Sequence, residues 1–140
     1  LPPESQTILQ QLGNDYKLGL LTDGFLPAQQ LKVKALGIEK YFKVIIYTEQ
    51  LGREFWKPSA TGFKKLLEEL KSKPENTAYI GDNEKKDFIA PNRLGIVSIQ
   101  LLRPARIHTE PSEMPDSTAR HIIDNITELP ALLQKLSFRT

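Results

Sequence analysis

The sequence predicts an α/β fold of three layers, α/β/α, built around an open, mostly parallel sheet. Three observations carry that expectation. Short runs of consecutive apolar, branched residues suit strands buried on both faces. Between them lie stretches with apolar residues at helical spacing. Strand and helix alternate, the pattern that lays parallel strands side by side through crossover helices. The 140 residues are 39% hydrophobic and fit one compact domain over residues 1–140, with no repeat, low-complexity tract or added cap.

Taken in order, Pro2 to Leu12 sets Ile8, Leu9 and Leu12 on one helical face, with Ser5 or Thr7 to cap it. Gly13-Asn14-Asp15 should break that helix. Leu18 to Leu21 is the first strand and stops at Thr22-Asp23-Gly24. Pro27 opens a helix whose apolar face is Leu31, Val33, Ala35 and Leu36 and whose end is Gly37. Val44 to Tyr47 is the second strand. A loop from Thr48 to Lys57 holds Gly52, Phe55 and Trp56, and Pro58 starts a helix with Phe63, Leu66, Leu67 and Leu70 on one side, closed by Pro74. Thr77 to Ile80 is the third strand, ending at Gly81-Asp82, and the helix after it carries Phe88, Ile89 and Leu94 before Gly95. Ile96 to Leu102 is the fourth strand. Arg103 to Ser117 reads as a loop, His121-Ile122-Ile123 as an edge strand and Leu129 to Leu136 as the closing helix.

Composition removes several classes of function. Nineteen Lys and Arg against seventeen Asp and Glu leave a net charge of +2, and without a long run of like charge nucleic acid is not an expected partner. The absence of cysteine excludes disulfides, thiolate zinc sites and thiol nucleophiles, and two separated histidines do not build a metal site. Any metal must sit on oxygen. The apolar runs are too short for a membrane span and there is no signal-peptide pattern, so the expected location is cytoplasmic.

In open parallel sheets, ligands collect beyond the carboxyl ends of the strands, and three strand ends here carry suggestive groups. Thr22 has a hydroxyl that can donate to an anionic oxygen, and the amides of Asp23 and Gly24 sit in a turn leading to a helix, which together would cradle phosphate. Helix capping and a glycine turn explain the same three residues. Lys57 precedes a helix start, where a cation gains nothing from the helix dipole. Neutralising phosphoryl charge would account for it, as would an ordinary surface position. In Gly81 to Asp87 a strand runs into Asp82, and Asp87 follows in the first turns of a helix. Asp82 suits a direct Mg²⁺ ligand and Asp87 a group that orients metal-bound water or the lysine; capping is compatible with both. Trp56 and Phe55 fit core or interface better than a pocket wall, His108 and His121 lack partners, and lysines 32, 34, 64, 65, 71 and 73 form a solvated face. Arg103 and Arg106 lie just past a strand end, without a stronger claim on an anion.

The combined text resembles the haloacid dehalogenase-like superfamily, most of whose members are Mg²⁺-dependent phosphohydrolases with a Rossmann-like core. The residues that carry the resemblance are Leu20-Leu21-Thr22-Asp23-Gly24, Ala35-Leu36-Gly37-Ile38, Tyr41-Phe42, Lys57-Pro58, Tyr79-Ile80-Gly81-Asp82-Asn83 and Asp87-Phe88-Ile89-Ala90-Pro91-Asn92. It implies that Thr22 binds the transferring phosphoryl group, that Lys57 stabilises nucleophile and phosphoryl charge, and that Asp82 and Asp87 hold Mg²⁺. It implies hydrolysis of a small phosphate monoester through an aspartyl phosphate.

One departure stands beside these matches. The superfamily's nucleophile and its acid-base partner form an Asp-x-Asp pattern on a first, central strand, and Asp15, Asp23, Asp82, Asp87, Asp116 and Asp124 include no such pair. The expectation is a sheet lacking that strand, completed by an N-terminal segment or by another chain, with self-association favoured by its open edges and no turnover by these residues alone. Two other functions fit parts of the pattern: a non-catalytic, regulatory or partner-binding domain of the same fold, and a receiver-like phosphoacceptor. Receivers place their acidic cluster before the threonine and lysine, the reverse of the order here.

Overall fold

The computed structural model describes residues 3–136 apart from 53, 55, 58, 85 and 103–115. Along the described chain helices and strands alternate as α1 (Pro3–Asp15), β1 (Gly19–Thr22), α2 (Ala28–Ala35), β2 (Val44–Tyr47), α3 (Thr61–Leu70), β3 (Ala78–Gly81), α4 (Ile89–Leu94), β4 (Val97–Leu101), β5 (His121–Ile123) and α5 (Leu129–Lys135). Among the described residues every strand pairing is parallel, in keeping with an α/β fold. The chain divides into two compact units between Ser72 and Lys73.

In the first unit β1 and β2 pair from Gly19 opposite Val44 to Thr22 opposite Tyr47, so both carboxyl ends lie at one edge. Helix α3 packs on both strands, and two glycines set how closely. A Cβ on Gly19 would lie 2.9 Å from Leu66 Cδ1 and 3.0 Å from Leu70 Cδ1, and one on Gly62 would lie 2.8 Å from Leu21 Cδ1. Phe63 and Leu21 fill the space between helix and strands and are buried. The helix ends where Lys71 turns left-handed at φ 54°. The Ser72 amide donates back to the Leu67 carbonyl, and Lys17 Nζ donates to the Leu70 carbonyl at 3.0 Å, where the helix dipole favours a cation.

In the second unit the strand order is β3-β4-β5. β4 is the central strand and buries Ser98, Ile99 and Gln100 in succession, while Phe88, just before α4, and Pro91, within it, are fully buried. Two of the unit's polar residues, Ser98 and Asn92, satisfy each other and the loops beside them. Ser98 Oγ donates to Asn92 Oδ1 at 2.6 Å and accepts from the Arg120 amide, and Asn92 Nδ2 donates to the Asp116 and Thr118 carbonyls. Asn125 and Glu128 form a reciprocal capping box in the turn before α5.

Several sequence expectations need correction. Helix α1 runs through Gly13 to Asp15, because one exposed glycine costs only about 1 kcal/mol and buried Ile8 and Leu12 anchor the helix. Of the expected apolar face on α2, only Val33 is buried, with Leu31 62% and Leu36 41% exposed. In β1 and β3 only Leu21 is buried; the other residues are partly exposed rather than covered on both faces. Helix α3 stops at Leu70 through its own left-handed cap, ahead of Pro74. It starts at Thr61 and not at Pro58, so Lys57 stands in a turn several residues ahead of the helix and not directly before it. Pro2, Phe55, Pro58, Arg103, Arg106 and His108 lie outside the described residues.

The Tyr47 hydroxyl is buried with no hydrogen-bond partner among the described residues. Burial chiefly, and then the charge of Glu39, raises its pKa above the ordinary value. The folded state therefore keeps its proton at pH values where the unfolded chain loses it, and stability falls as pH rises past about 10. Tyr47→Phe is expected to gain up to about 1 kcal/mol near neutral pH by removing an unsatisfied hydroxyl. It should also flatten the alkaline loss, and urea unfolding of both proteins across that pH range checks the two effects.

Candidate functional site

The first unit places Thr22, Asp23, Gly24 and Lys57 together. Thr22 ends β1, and Thr48 directly follows β2 at the same edge. The buried Thr48 hydroxyl lies 2.6 Å from Asp23 Oδ1, to which it donates, and 3.3 Å from the Thr22 carbonyl. The same carboxylate oxygen accepts from the Lys57 amide at 3.3 Å. Asp23 thus ties the end of β1 to the end of β2 and to the turn that carries Lys57. Beyond it, Gly24 adopts φ 130°, a conformation that side chains rarely tolerate, and the Leu26 amide donates to the Glu49 carboxylate. Gln29, in the first turn of α2, reaches back so that its Nε2 donates to Thr22 Oγ1 at 2.7 Å. Phe25 and Trp56 meet edge to face, with centroids 5.3 Å apart; Phe25 is 54% exposed.

The second unit places Asp82 and Asp87 together in the connection from β3 to α4. The sequence put Asp87 in the first turns of a helix, but α4 begins at Ile89 and Asp87 closes a tight turn before it. Its amide donates to the Asn83 carbonyl at 2.8 Å, and its Oδ2 accepts from the amides of Asp82 at 3.1 Å and Asn83 at 2.9 Å. Asp87 is only 3% exposed and Asp82 is partly exposed. A Cβ on Gly81 would stand 2.6 Å from Asp87 Oδ2, so the strand can end beside that carboxylate only with glycine.

These arrangements suit different chemistry. Around Thr22 a hydroxyl and a turn sit beside a lysine-bearing segment, with the carboxylates of Asp23 and Glu49 holding main-chain and hydroxyl donors there. The Asp82 turn presents a carboxylate oxygen on a braced backbone, a donor type that suits a hard cation completing its shell with water and phosphate oxygens. Among the described residues no three His, Cys, Asp or Glu side chains gather into a cation cage. Gln29, Thr48, Glu49 and the close fit of Gly81 were not foreseen from the sequence. Thr48 carried a signal, since it directly follows a strand. Gln29 and Glu49 carried none, because nothing local distinguishes a bridging amide or carboxylate from a solvated one.

Residues 2–101 match the family model of haloacid dehalogenase-like hydrolases. The chain is 31% identical over 134 residues to the glyceraldehyde 3-phosphate phosphatase of Methanopyrus kandleri, a match covering 91% of this chain and 57% of that protein. It is 30% identical over 135 residues to the phosphatase of the same name from Methanocaldococcus jannaschii, covering 96% and 57%. Among solved structures, a HAD phosphatase from Thermococcus onnurineus matches with a TM-score of 0.79 and 26% identity, over 95% of this chain and 58% of that one. The chain spans a little over half the length of these relatives. No described helix is long and apolar enough to cross a membrane. The family match over most of the sequence, together with relatives about 30% identical to it, shows that this chain belongs to the haloacid dehalogenase-like hydrolases.

Proposed function

We propose that this chain is the phosphate-handling part of a phosphohydrolase that cleaves a small phosphate monoester with Mg²⁺. The observation that carries the proposal is the family membership together with the residues at the strand ends. Two matched relatives bear the name of a phosphatase for a three-carbon sugar phosphate. Thr22 donates its hydroxyl hydrogen to a phosphoryl oxygen, and the amides of Asp23 and Gly24 add main-chain donors. Lys57 places an ammonium against charge that accumulates as phosphorus is attacked.

Asp82 supplies the carboxylate that holds Mg²⁺, and Asp87 acts through it by fixing the turn. Bound there, the ion would neutralise charge on nucleophile and phosphate. The donor chemistry fits, because Mg²⁺ takes one or two protein carboxylates and fills its other positions with water and phosphate oxygens. The nucleophile in this reading is an aspartate of an Asp-x-Asp pair, and the 140 residues contain none.

Orthophosphate with Mg²⁺ is expected to bind the chain and to change the fluorescence of Trp56, the one tryptophan in the sequence and the neighbour of Lys57. Lys57→Ala should weaken that binding about tenfold or more, the worth of a hydrogen bond to a charged group. Unchanged affinity would remove the lysine from the site.

Asp82→Asn should abolish the Mg²⁺ dependence of phosphate binding. Asp87→Ala should cost about 2–4 kcal/mol, because two main-chain donors lose a charged acceptor, and should speed amide exchange at Asp82 and Asn83. Equal exchange rates in wild type and variant would show that the carboxylate does not hold the turn.

The reaction class is tested by phosphate release from glyceraldehyde 3-phosphate and other small monoesters. Release is expected from the chain fused behind a strand bearing Asp-x-Asp, and not from the chain alone. Rapid Mg²⁺-dependent release by the chain alone would place the nucleophile elsewhere. A folded fusion that binds phosphate without releasing it from any monoester would count against a hydrolase.

A further inference from the structure

A threonine hydroxyl has one hydrogen to give and two lone pairs to accept with, so its usefulness to an anion depends on which of these its neighbours occupy. Gln29 Nε2 stands 2.7 Å from Thr22 Oγ1 and donates to it. That bond fills a lone pair and leaves the hydrogen. The other bond at this hydroxyl, to the Asp23 carbonyl at 3.3 Å, is longer than the 2.5–3.0 Å of a good O–H···O bond and is a weak competitor.

The bridge is built rather than incidental. The Gln29 side chain folds back over Gly24, where an added Cβ would fall 2.8 Å from Gln29 Oε1 and 3.1 Å from its Cβ. Gly24 at φ 130° therefore provides both the turn and the room for that side chain. The main-chain N–H of Gln29 donates to the Phe25 carbonyl at 2.9 Å, and the main-chain N–H of the intervening Leu26 is held by Glu49. An acceptor in place of the amide N–H would capture the threonine hydrogen and turn it away from an anion. A charged donor would bring the local field of a second cation, whereas the neutral amide sets the direction of the hydroxyl without changing the charge of the site.

We propose that Gln29 is a positioning residue, which occupies a lone pair of Thr22 so that the hydroxyl hydrogen is offered to a phosphoryl oxygen. This rests on Thr22 as the phosphate-binding hydroxyl. The polarised hydroxyl is also the better donor, because hydrogen bonds in a chain reinforce one another.

Orthophosphate, titrated with Mg²⁺ into the 140-residue chain and followed by Trp56 fluorescence and phosphorus NMR, provides the test. Gln29→Met keeps the shape of the side chain and removes the donor, and it should bind about tenfold more weakly. Gln29→Ala serves as the second variant should the thioether disturb folding, with circular dichroism as the check on both. Thr22→Val should weaken binding to a similar degree, and Thr22→Val combined with Gln29→Met should be no weaker than Thr22→Val alone, because the amide then has no hydroxyl to direct.

Equal losses from Gln29→Met in the presence and absence of the Thr22 hydroxyl would assign Gln29 a merely structural role and overturn the proposal. Unchanged or tighter binding by Gln29→Met alone would overturn it as well, the latter by showing that Gln29 accepts the hydroxyl hydrogen. Failure of the unsubstituted chain to bind orthophosphate at all would refute the phosphate site itself, and this role for Gln29 with it.

Discussion

In each unit a carboxylate beside the end of a parallel strand gathers the donors around it, and the turn it holds is placed by that gathering. Asp87 takes the amides of Asp82 and Asn83 on one oxygen. Asp23 takes the Thr48 hydroxyl and the Lys57 amide on one of its own. A buried carboxylate is costly unless hydrogen-bonded, and bonds to an ionised acceptor are roughly twice as strong as neutral ones. Strands of four residues have few ladder bonds with which to fix the loops beyond them. The carboxylates take over that task, and Asp82 and Lys57 inherit their positions from it.

Tight backbone approach is the other half of the same design. Asp87 can reach the amides at the end of β3 because Gly81 leaves the space empty, just as Gln29 can reach Thr22 over Gly24. Gly19 and Gly62 do the equivalent for the core, letting α3 settle onto β1 without overpacking Leu21, Leu66 and Leu70. Neither the carboxylates nor the glycines act alone. A longer residue at position 81 would displace the acceptor, and a missing acceptor would leave two donors unsatisfied beside a strand end that is only partly covered.

The sequence makes the alternation of strands and helices legible because the strands are compact, mostly apolar runs: Val44 to Tyr47 and His121 to Ile123 match the structure to the residue, and the others to within one. It also indicates that Thr22 and Asp82 stand where such runs stop, since strand ends can be located from apolar patterning alone, whereas Lys57 is marked only by its place before an expected helix. The misreadings involve forces that patterning does not record. Gly13 looks like a breaker, yet tertiary anchoring at Ile8 and Leu12 carries α1 through it. Leu31 and Leu36 look like a buried face, yet only Val33 of α2 meets the core. Asp87 looks helical by its distance from Asp82, but its carboxylate is committed to the backbone of a turn. Gln29 and Glu49 act across the fold, and their partners lie 7 and 23 residues away.

With a net charge of +2 spread over 140 residues, this chain has no strong field with which to draw an anion from a distance. At physiological salt the field of any one charge fades over about 8 Å, so recognition has to be made by contact. That favours a site of few charges and many fixed dipoles. In the proposed site a single ammonium would supply attraction and the hydroxyl and main-chain donors direction, and direction is what separates a tetrahedral phosphoryl group from other anions of equal charge. Fixed dipoles gain their advantage only if they need not reorganise when charge develops. The carboxylates of Asp23 and Asp87 meet that condition structurally, each within its own unit: Asp23 holds the Lys57 amide, and Asp87 holds the amides of Asp82 and Asn83.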